Sequence, residues 1–307
     1  MSLSLTAPYS VAQGVTTGSI TGTVADEQGG VIPGVTVVAV HVPSGTNYES
    51  VTQGDGHFVM PAVRVGGPYK VTASLTGFTT ETVNDVMVNL GVSADFSFKL
   101  RPATVAEEVT VVGHVDPVFS SSHTGAATAV LRSELATLPT VQGRLSDMER
   151  LSPEYSGTGS NAGGFEGQDN RMNNITVDGS YFNNSFGLAG QPGDRTGVAP
   201  ISLEAIEQVQ VSVAPFDVRQ GNFVGAGVNT VTRSGTNTFT GSTYYRYRNQ
   251  SYVGTNAAGQ TVNPGTFKTT NFGEWVGGPI VVNKAFFFES FEDQQDTRPL
   301  STFVANP

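Results

Sequence analysis

Residues 18–40 read GSITGTVADEQGGVIPGVTVVAV. Ile20, Gly22 and Val24 alternate with small polar residues, the turn cluster Glu27-Gln28-Gly29-Gly30 follows, and a β-branched run resumes at Val35. A period of two, broken by residues that favour turns, is the pattern of strand, turn and strand. The same rhythm continues to Leu100, with turn signals at Pro43-Ser44-Gly45, Gly54-Asp55-Gly56, Gly66-Gly67-Pro68 and Thr76-Gly77. It predicts seven strands: Ser19 to Ala25, Val35 to His41, Tyr48 to Thr52, His57 to Met60, Tyr69 to Leu75, Thr82 to Met87 and Ala94 to Leu100. Short strands spaced ~8–12 residues apart specify a two-sheet sandwich.

Composition agrees with a mainly β, turn-rich chain: 307 residues carry 37 Gly, 16 Pro and only 14% charged residues. There is no Cys, which excludes disulfide scaffolds, thiolate zinc sites, iron–sulfur clusters and thiol nucleophiles. The net charge of −10 argues against nucleic acid as a partner, because such a surface needs a basic face. No run approaches the ~20 apolar residues of a membrane-spanning helix. The first residues, MSLSLTAPYSVAQG, lack a basic region and an apolar core, so no intact leader is read there. Met1-Ser2-Leu3 reads as a start added to a mature sequence, and STFVANP ends without a closing element, as expected of a fragment.

Past Arg101-Pro102 the pattern changes. Thr104 to His114 reads as an extended link, and Val118 to Ala129 as a small, polar, mobile stretch. Leu131, Leu135 and Leu138 before Pro139, and Leu145, Met148 and Leu151 before Pro153, predict two short helices. A strand at Asn174 to Val177, a short helix at Pro200 to Ile206 and a strand at Glu207 to Val213 make a mixed α+β domain. From Phe239 to Arg248 the odd positions are largely aromatic and the even ones polar. Two further strands, Phe272 to Val282 and Ala285 to Glu292, are joined by a two-residue turn Asn283-Lys284, while Gln250 to Thr269 reads as a long loop. Short turns at one end, long loops at the other and aromatic strand ends suit an outer-membrane barrel.

Two resemblances sharpen this reading. GSITGTVADEQGGVIPGVTVVAV, TQGDGHFVM and YKVTASLTGF resemble the carboxypeptidase-regulatory-like, or transthyretin-like, domain. That name implies no peptidase: three residues beyond His41, His57, His114 and His123 stand Ser44, Met60, Pro117 and Ala126, so no zinc spacing is present. Asn174-Ile175-Thr176-Val177-Asp178-Gly179, then Ile206-Glu207-Gln208-Val209-Gln210-Val211, then Gly225 to Gly235 resemble the plug of TonB-dependent outer-membrane receptors. Gly277-Gly278-Pro279-Ile280 and Asn283-Lys284-Ala285-Phe286-Phe287-Phe288 are similar to the first barrel strands of the Oar-like branch. Glu107-Glu108-Val109-Thr110-Val111-Val112-Gly113 is similar to a TonB box, a strand that binds by adding to the edge of a partner's sheet. A strand of the sandwich or of the plug is the plainer reading of the same residues.

The expected fold is therefore a seven-stranded β-sandwich (17–101), a linker with the box (102–116), an α+β plug (117–235) and the first barrel strands (236–307). The resemblance implies plug-motif roles for Asn174, Asp178, Gly179, Gly227, Asn229, Thr232 and Gly235, and a plug filling a barrel of the ~22-stranded kind. It implies an energy-coupled importer of a large or scarce nutrient, with no catalytic residue, cofactor or metal. The periplasmic C-terminal domain of TonB, the outer membrane and a nutrient ligand would be its partners, with the sandwich in the periplasm. Asn161 to Asn170 and Asn183 to Gly193 are candidate ligand-contacting apices. Gly225-x-Gly227 is no dinucleotide fingerprint, since Thr230 stands where the third glycine is needed; Asp178-Gly179 reads as a turn rather than as a calcium ligand pair. Arg246 and Arg248 read as facing a barrel lumen. The rival reading is an extracellular adhesion or carbohydrate-binding module built on the sandwich.

Overall fold

The computed structural model describes residues 15–103, 109–112, 127–135, 137, 143–157, 163–186, 190–193, 199–214, 220–257, 259–261, 263 and 265–297. All seven predicted N-terminal strands form: β1 (Thr17–Asp26), β2 (Thr36–His41), β3 (Thr46–Val51), β4 (His57–Arg64), β5 (Gly66–Ser74), β6 (Glu81–Val88) and β7 (Ser93–Leu100). One sheet has the order β4-β1-β7, and the other contains β3-β2-β5-β6. The alternation in the sequence becomes alternation of burial, with Ile20 and Val24 inward on β1 and Phe96 and Phe98 inward on β7. Val37, Phe58, Tyr69 and Val71 complete the centre of this core. Burying each such side chain stabilises by ~1.5–3 kcal/mol. Gly22 sits between Ile20 and Val24 because a Cβ there would lie 2.2 Å from the Phe96 carbonyl oxygen and 2.9 Å from the Phe58 ring.

The predicted extended link contains a strand, β8 (Val109–Val112), but it is not a free connector. It lies parallel to β6 as the edge strand of the second sheet, in register from Glu81↔Val109 to Asn84↔Val112. Most of the rest of that link, and residues 113–126, lie outside the described residues.

The second unit is built on a five-stranded mixed sheet. Its elements are β9 (Ala127–Leu131), α1 (Arg132–Leu135), α2 (Leu145–Glu149), β10 (Asn174–Val177), β11 (Ser180–Tyr181), β12 (Ile206–Ser212) and β13 (Gly227–Thr232). The sheet order is β11-β10-β13-β12-β9, with only β10 and β13 parallel. Residues 127–129, expected in a mobile stretch, instead begin β9: pairing with β12 overrides the weak strand preference of Ala127 and Ala129. Both predicted helices are single turns. The helix expected at Pro200 to Ile206 is a 3₁₀ turn, Leu203–Ala205, capped by the Ser202 hydroxyl accepting from the Glu204 N–H at 3.2 Å. Val130, Met148, Phe165, Ile175, Val209 and Val228 are central to its core.

The third unit is an antiparallel meander, β14-β17-β18, with a two-stranded excursion in its long loop. Its strands are β14 (Thr240–Asn249), β15 (Asn256–Ala257), β16 (Gln260–Thr261), β17 (Lys268–Val281) and β18 (Ala285–Thr297). At 10 to 14 residues, β14, β17 and β18 have the length that a tilted strand needs to cross a bilayer, ~9–11 residues. The turn joining β17 to β18 spans residues 282–284, one more than expected. Pro279 donates no N–H, a bulge falls between Pro279 and Val281, and Val282 is drawn into the turn with Asn283 at φ +61°.

Candidate functional site

The predicted plug residues, Gly235 apart, lie on the paired strands β10 and β13 or in the turn that follows β10. Asp178 and Gly179, at φ +48° and +79°, make the two-residue turn between β10 and β11. The Asp178 carboxylate then reaches β13, accepting from the Thr232 N–H at 2.9 Å and the Thr232 hydroxyl at 2.6 Å. Those contacts make it a strand tie. Among the described residues there is no cluster of three side chains fit to hold a metal. Asn229 accepts from the Thr176 hydroxyl at 2.7 Å between β13 and β10, and the Asn174 amide donates to the Gly221 carbonyl at 3.0 Å. A Cβ on Gly227 would sit 3.0 Å from the Phe223 ring. One on Gly235 would meet the Phe287 and Gly278 carbonyl oxygens at 2.2 and 2.5 Å, so Gly235 permits the close passage of the chain onto the third unit.

Asn173, which sequence reasoning passed over, organises the glycine-rich segments. Its amide donates to the Gly163 carbonyl at 2.6 Å and its oxygen accepts from the Ala226 N–H at 3.0 Å, with Gly225 close against it. Asn183 bridges the Ile175 N–H and the Asn173 carbonyl at 2.7 and 2.8 Å. Asn170 is buried. Two asparagines of the expected ligand-contacting apices are thus engaged inside the fold, and residues 161–162 and 187–189 of those apices fall outside the described residues.

The third unit meets the second through the even-numbered face of β14. Tyr244 donates to Glu292 and shares a hydrogen bond with Ser202, while Arg246 reaches Glu204 at 3.4 Å. Glu204 also pairs with Arg132 at 2.7 Å, and its carbonyl accepts from Arg233 at 3.1 Å. The Arg233 guanidinium lies 3.8 Å from the Trp275 ring centre and 4.8 Å from that of Phe288. The odd-numbered face points away: Phe239 is 66% exposed and Tyr245 65%.

A second junction ties the sandwich to β12. The turn after β6 presents Leu90, whose N–H donates to Gln208 Oε1 at 3.0 Å and whose carbonyl accepts from Gln210 Nε2 at 2.7 Å. Val15, Val65 and Leu90 pack together with Val231 around it. Burial pushes the neighbouring Glu207 carboxyl up, while Arg64, Arg233 and Arg132 pull it back. At the foot of the third unit, the Asn237 N–H donates to the Pro43 carbonyl at 2.8 Å, its side-chain amide donates to Asn283 Oδ1 at 2.6 Å, and its Oδ1 accepts from the Asn283 backbone N–H at 2.7 Å. The short turn of the meander therefore lies on the sandwich side. Gln208 and Gln210 stand in the plug-like segment, but their role at this junction was not legible from sequence, since polar residues alternating with Val look the same whether they face water or another domain.

Residues 19–101 match the carboxypeptidase regulatory-like domain, and residues 231–307 match an outer membrane beta barrel domain. Over 95% of its length the chain is 25% identical to the TonB-dependent transporter Oar of Myxococcus xanthus, of which it spans 28%. The siderophore receptor PirA of Acinetobacter baumannii superposes with a TM-score of 0.43 at 20% identity, covering 55% of this chain and 24% of that one. The ferric enterobactin receptor PfeA of Pseudomonas aeruginosa gives 0.38 at 17%, covering 52% and 23%. The domain matches and the meander define an outer-membrane β-barrel protein with an N-terminal regulatory-like sandwich. Over nearly its whole length the chain is similar to a TonB-dependent transporter, of whose length it spans about a quarter.

Proposed function

We propose that this chain is the N-terminal portion of an energy-coupled importer that takes a large or scarce nutrient across the outer membrane. Residues 17–101 form its periplasmic sandwich, 102–116 a linker carrying the TonB box Glu107 to Gly113, 117–235 the plug, and 236–307 the opening barrel strands. The observation that carries the reading is the contact between the second and third units: the polar face of β14, through Tyr244 and Arg246, is turned to Ser202 and Glu204, and the aromatic face is turned outward. A barrel with a plug in its lumen requires that sorting of faces. Asp178, Thr232 and Asn229 tie β10 to β13, so the plug sheet moves as one body when pulled. No step of covalent chemistry is involved.

Engagement of TonB by strand addition rests on backbone N–H groups. Replacing Val111 with Pro deletes one donor and fixes φ, whereas Val111→Thr keeps both. Titration of the chain with the periplasmic C-terminal domain of TonB from the same genome is expected to show binding by the wild type and Val111→Thr and none by Val111→Pro. Equal affinity of the proline variant would remove the box from this segment.

A further inference from the structure

The sandwich touches the other two units through contacts that differ in kind. With the second unit it shares a buried one: Val15, Val65 and Leu90 pack with Val231, and the buried Gln208 and Gln210 of β12 bond the Leu90 backbone. Gly66 lies against the same strand, where a Cβ would stand 2.7 Å from Glu207 Oε1. With the third unit it shares an exposed one. There the Pro43 carbonyl accepts from the Asn237 N–H, Gly45 passes so close to Asn283 Oδ1 that no Cβ fits, and the two asparagines are bonded to each other in the open. We propose that the sandwich and the plug form one body and that the sandwich is only latched to the barrel wall, so that a shift of the plug carries the sandwich with it and opens the chain at the 43–45 corner. The proposal rests on the reading of the second unit as plug and the third as barrel strands.

The two contacts respond differently to the same pull. Parting Asn237, Asn283 and the Pro43 carbonyl hands exposed groups to water, which replaces their bonds at little net cost. Parting the sandwich from β12 by a small step strands the Leu90 N–H and carbonyl and both glutamine amides before water can reach them, and a larger step exposes the apolar cluster around Leu90. Charge works in the same sense. Burial pushes the Glu207 carboxyl up and the sandwich's Arg64 pulls it back, so withdrawal of the sandwich would take that cation away. The pivot follows from the chain between the second and third units. Arg233 stays with the second, its N–H donating to the Ala205 carbonyl at 2.8 Å and its side chain to the Glu204 carbonyl, while Gly235 is pressed against the Gly278 and Phe287 carbonyls of the meander. Ser234, exposed, stands between them.

The chain has no Cys, so spin labels can be placed in pairs on cysteine variants of the exposed Glu49 on β3, Ser180 on β11 and Glu289 on β18. Distances are measured by double electron–electron resonance on the full chain in detergent micelles. Cutting the contacts to the meander with Asn237→Ala, Tyr244→Phe and Arg246→Ala is expected to shift the Glu49–Glu289 and Ser180–Glu289 distances together to longer, broader distributions, while Glu49–Ser180 stays as in the wild type. A Glu49–Ser180 distance that broadens with them would overturn the proposal, as would a Ser180–Glu289 distance that stays fixed while Glu49–Glu289 moves, or no movement in any pair. Gln210→Glu, which sets a carboxylate against the Leu90 carbonyl, and Gln208→Ala are each expected to broaden Glu49–Ser180, and a distribution unmoved by both would remove β12 as the seat of the sandwich. Relaxation of the labels by oxygen dissolved in the micelle tests the barrel reading separately: it should be stronger at Glu289 than at Ser180, and equal relaxation would overturn that reading and the latch to a barrel wall with it.

Discussion

His41 lies in the sandwich with its Nδ1 2.6 Å from the Ser44 hydroxyl and its ring 4.9 Å from that of Tyr69. Burial, reinforced by the nearby Arg64, pushes its pKa down to about 4 from 6.5. Between these values the unfolded chain binds a proton that the folded one refuses, so stability is undiminished above about pH 6.5 and falls as pH drops toward 4. At pH 5 the loss amounts to roughly 2 kcal/mol. Denaturant unfolding at pH 7.5 and 5 should show this in the wild type, and His41→Gln should flatten the difference even if its stability is lower throughout. Asp178 gives a second test at this scale. Asp178→Ala removes both bonds to Thr232 and puts a side chain unsuited to φ +48° into the turn, with an expected cost of about 1–3 kcal/mol. Asp178→Asn, which tolerates that φ and keeps an acceptor, should recover most of it. An unfolding midpoint unmoved in the alanine variant would show that the tie contributes nothing to the sheet.

At the scale of elements, the junction between β12 and the turn after β6 carries the weight. Gln210→Ala would leave the buried Leu90 carbonyl without its 2.7 Å donor, and Gln208→Ala would do the same to the Leu90 N–H. Each is expected to cost about 1–3 kcal/mol and to speed protease attack between the sandwich and the second unit, read by the appearance of a sandwich-sized fragment. What the sequence made legible follows physical lines. Strands with period-two burial and strong turns, β1 to β7, can be read because local pattern and tertiary environment agree. β9 was missed because Ala127 and Ala129 carry no strand preference and are held by β12 alone. The alternation of Val109 to Val112 announced a strand but could not name its neighbour, since strand pairing is a long-range fact: β8 lies against residues 28 positions earlier. Asp178 and Gly179 were legible as a turn, whereas Asn173 was not, because one asparagine among several has no signature until its partners fold around it.

The whole molecule sorts its surfaces by the medium each would meet. The sandwich, the Asn237–Asn283 contact and the short turn at 282–284 lie together at one end, and the long loop at 250–267 leaves from the other ends of β14 and β17. Between them Phe239, Tyr245, Ile280 and Phe291 are more than half exposed, an apolar surface that suits lipid and not water. Among the described residues the meander also leaves one edge of β14 and one of β18 unpaired, positions that further barrel strands would occupy. The sandwich has a core of its own, centred on Ile20, Phe58, Tyr69 and Phe98, and draws little from the third unit. Limited proteolysis of the chain in detergent-free buffer should therefore cut first beyond Gly235 and leave a resistant product spanning Gly18 to Leu100. Adding detergent micelles, which cover the aromatic face, should slow the first cut and leave the sandwich unaffected. Equal resistance along the whole chain without detergent would mean that the meander is stable in water, and its outward aromatics would then need a partner other than the bilayer.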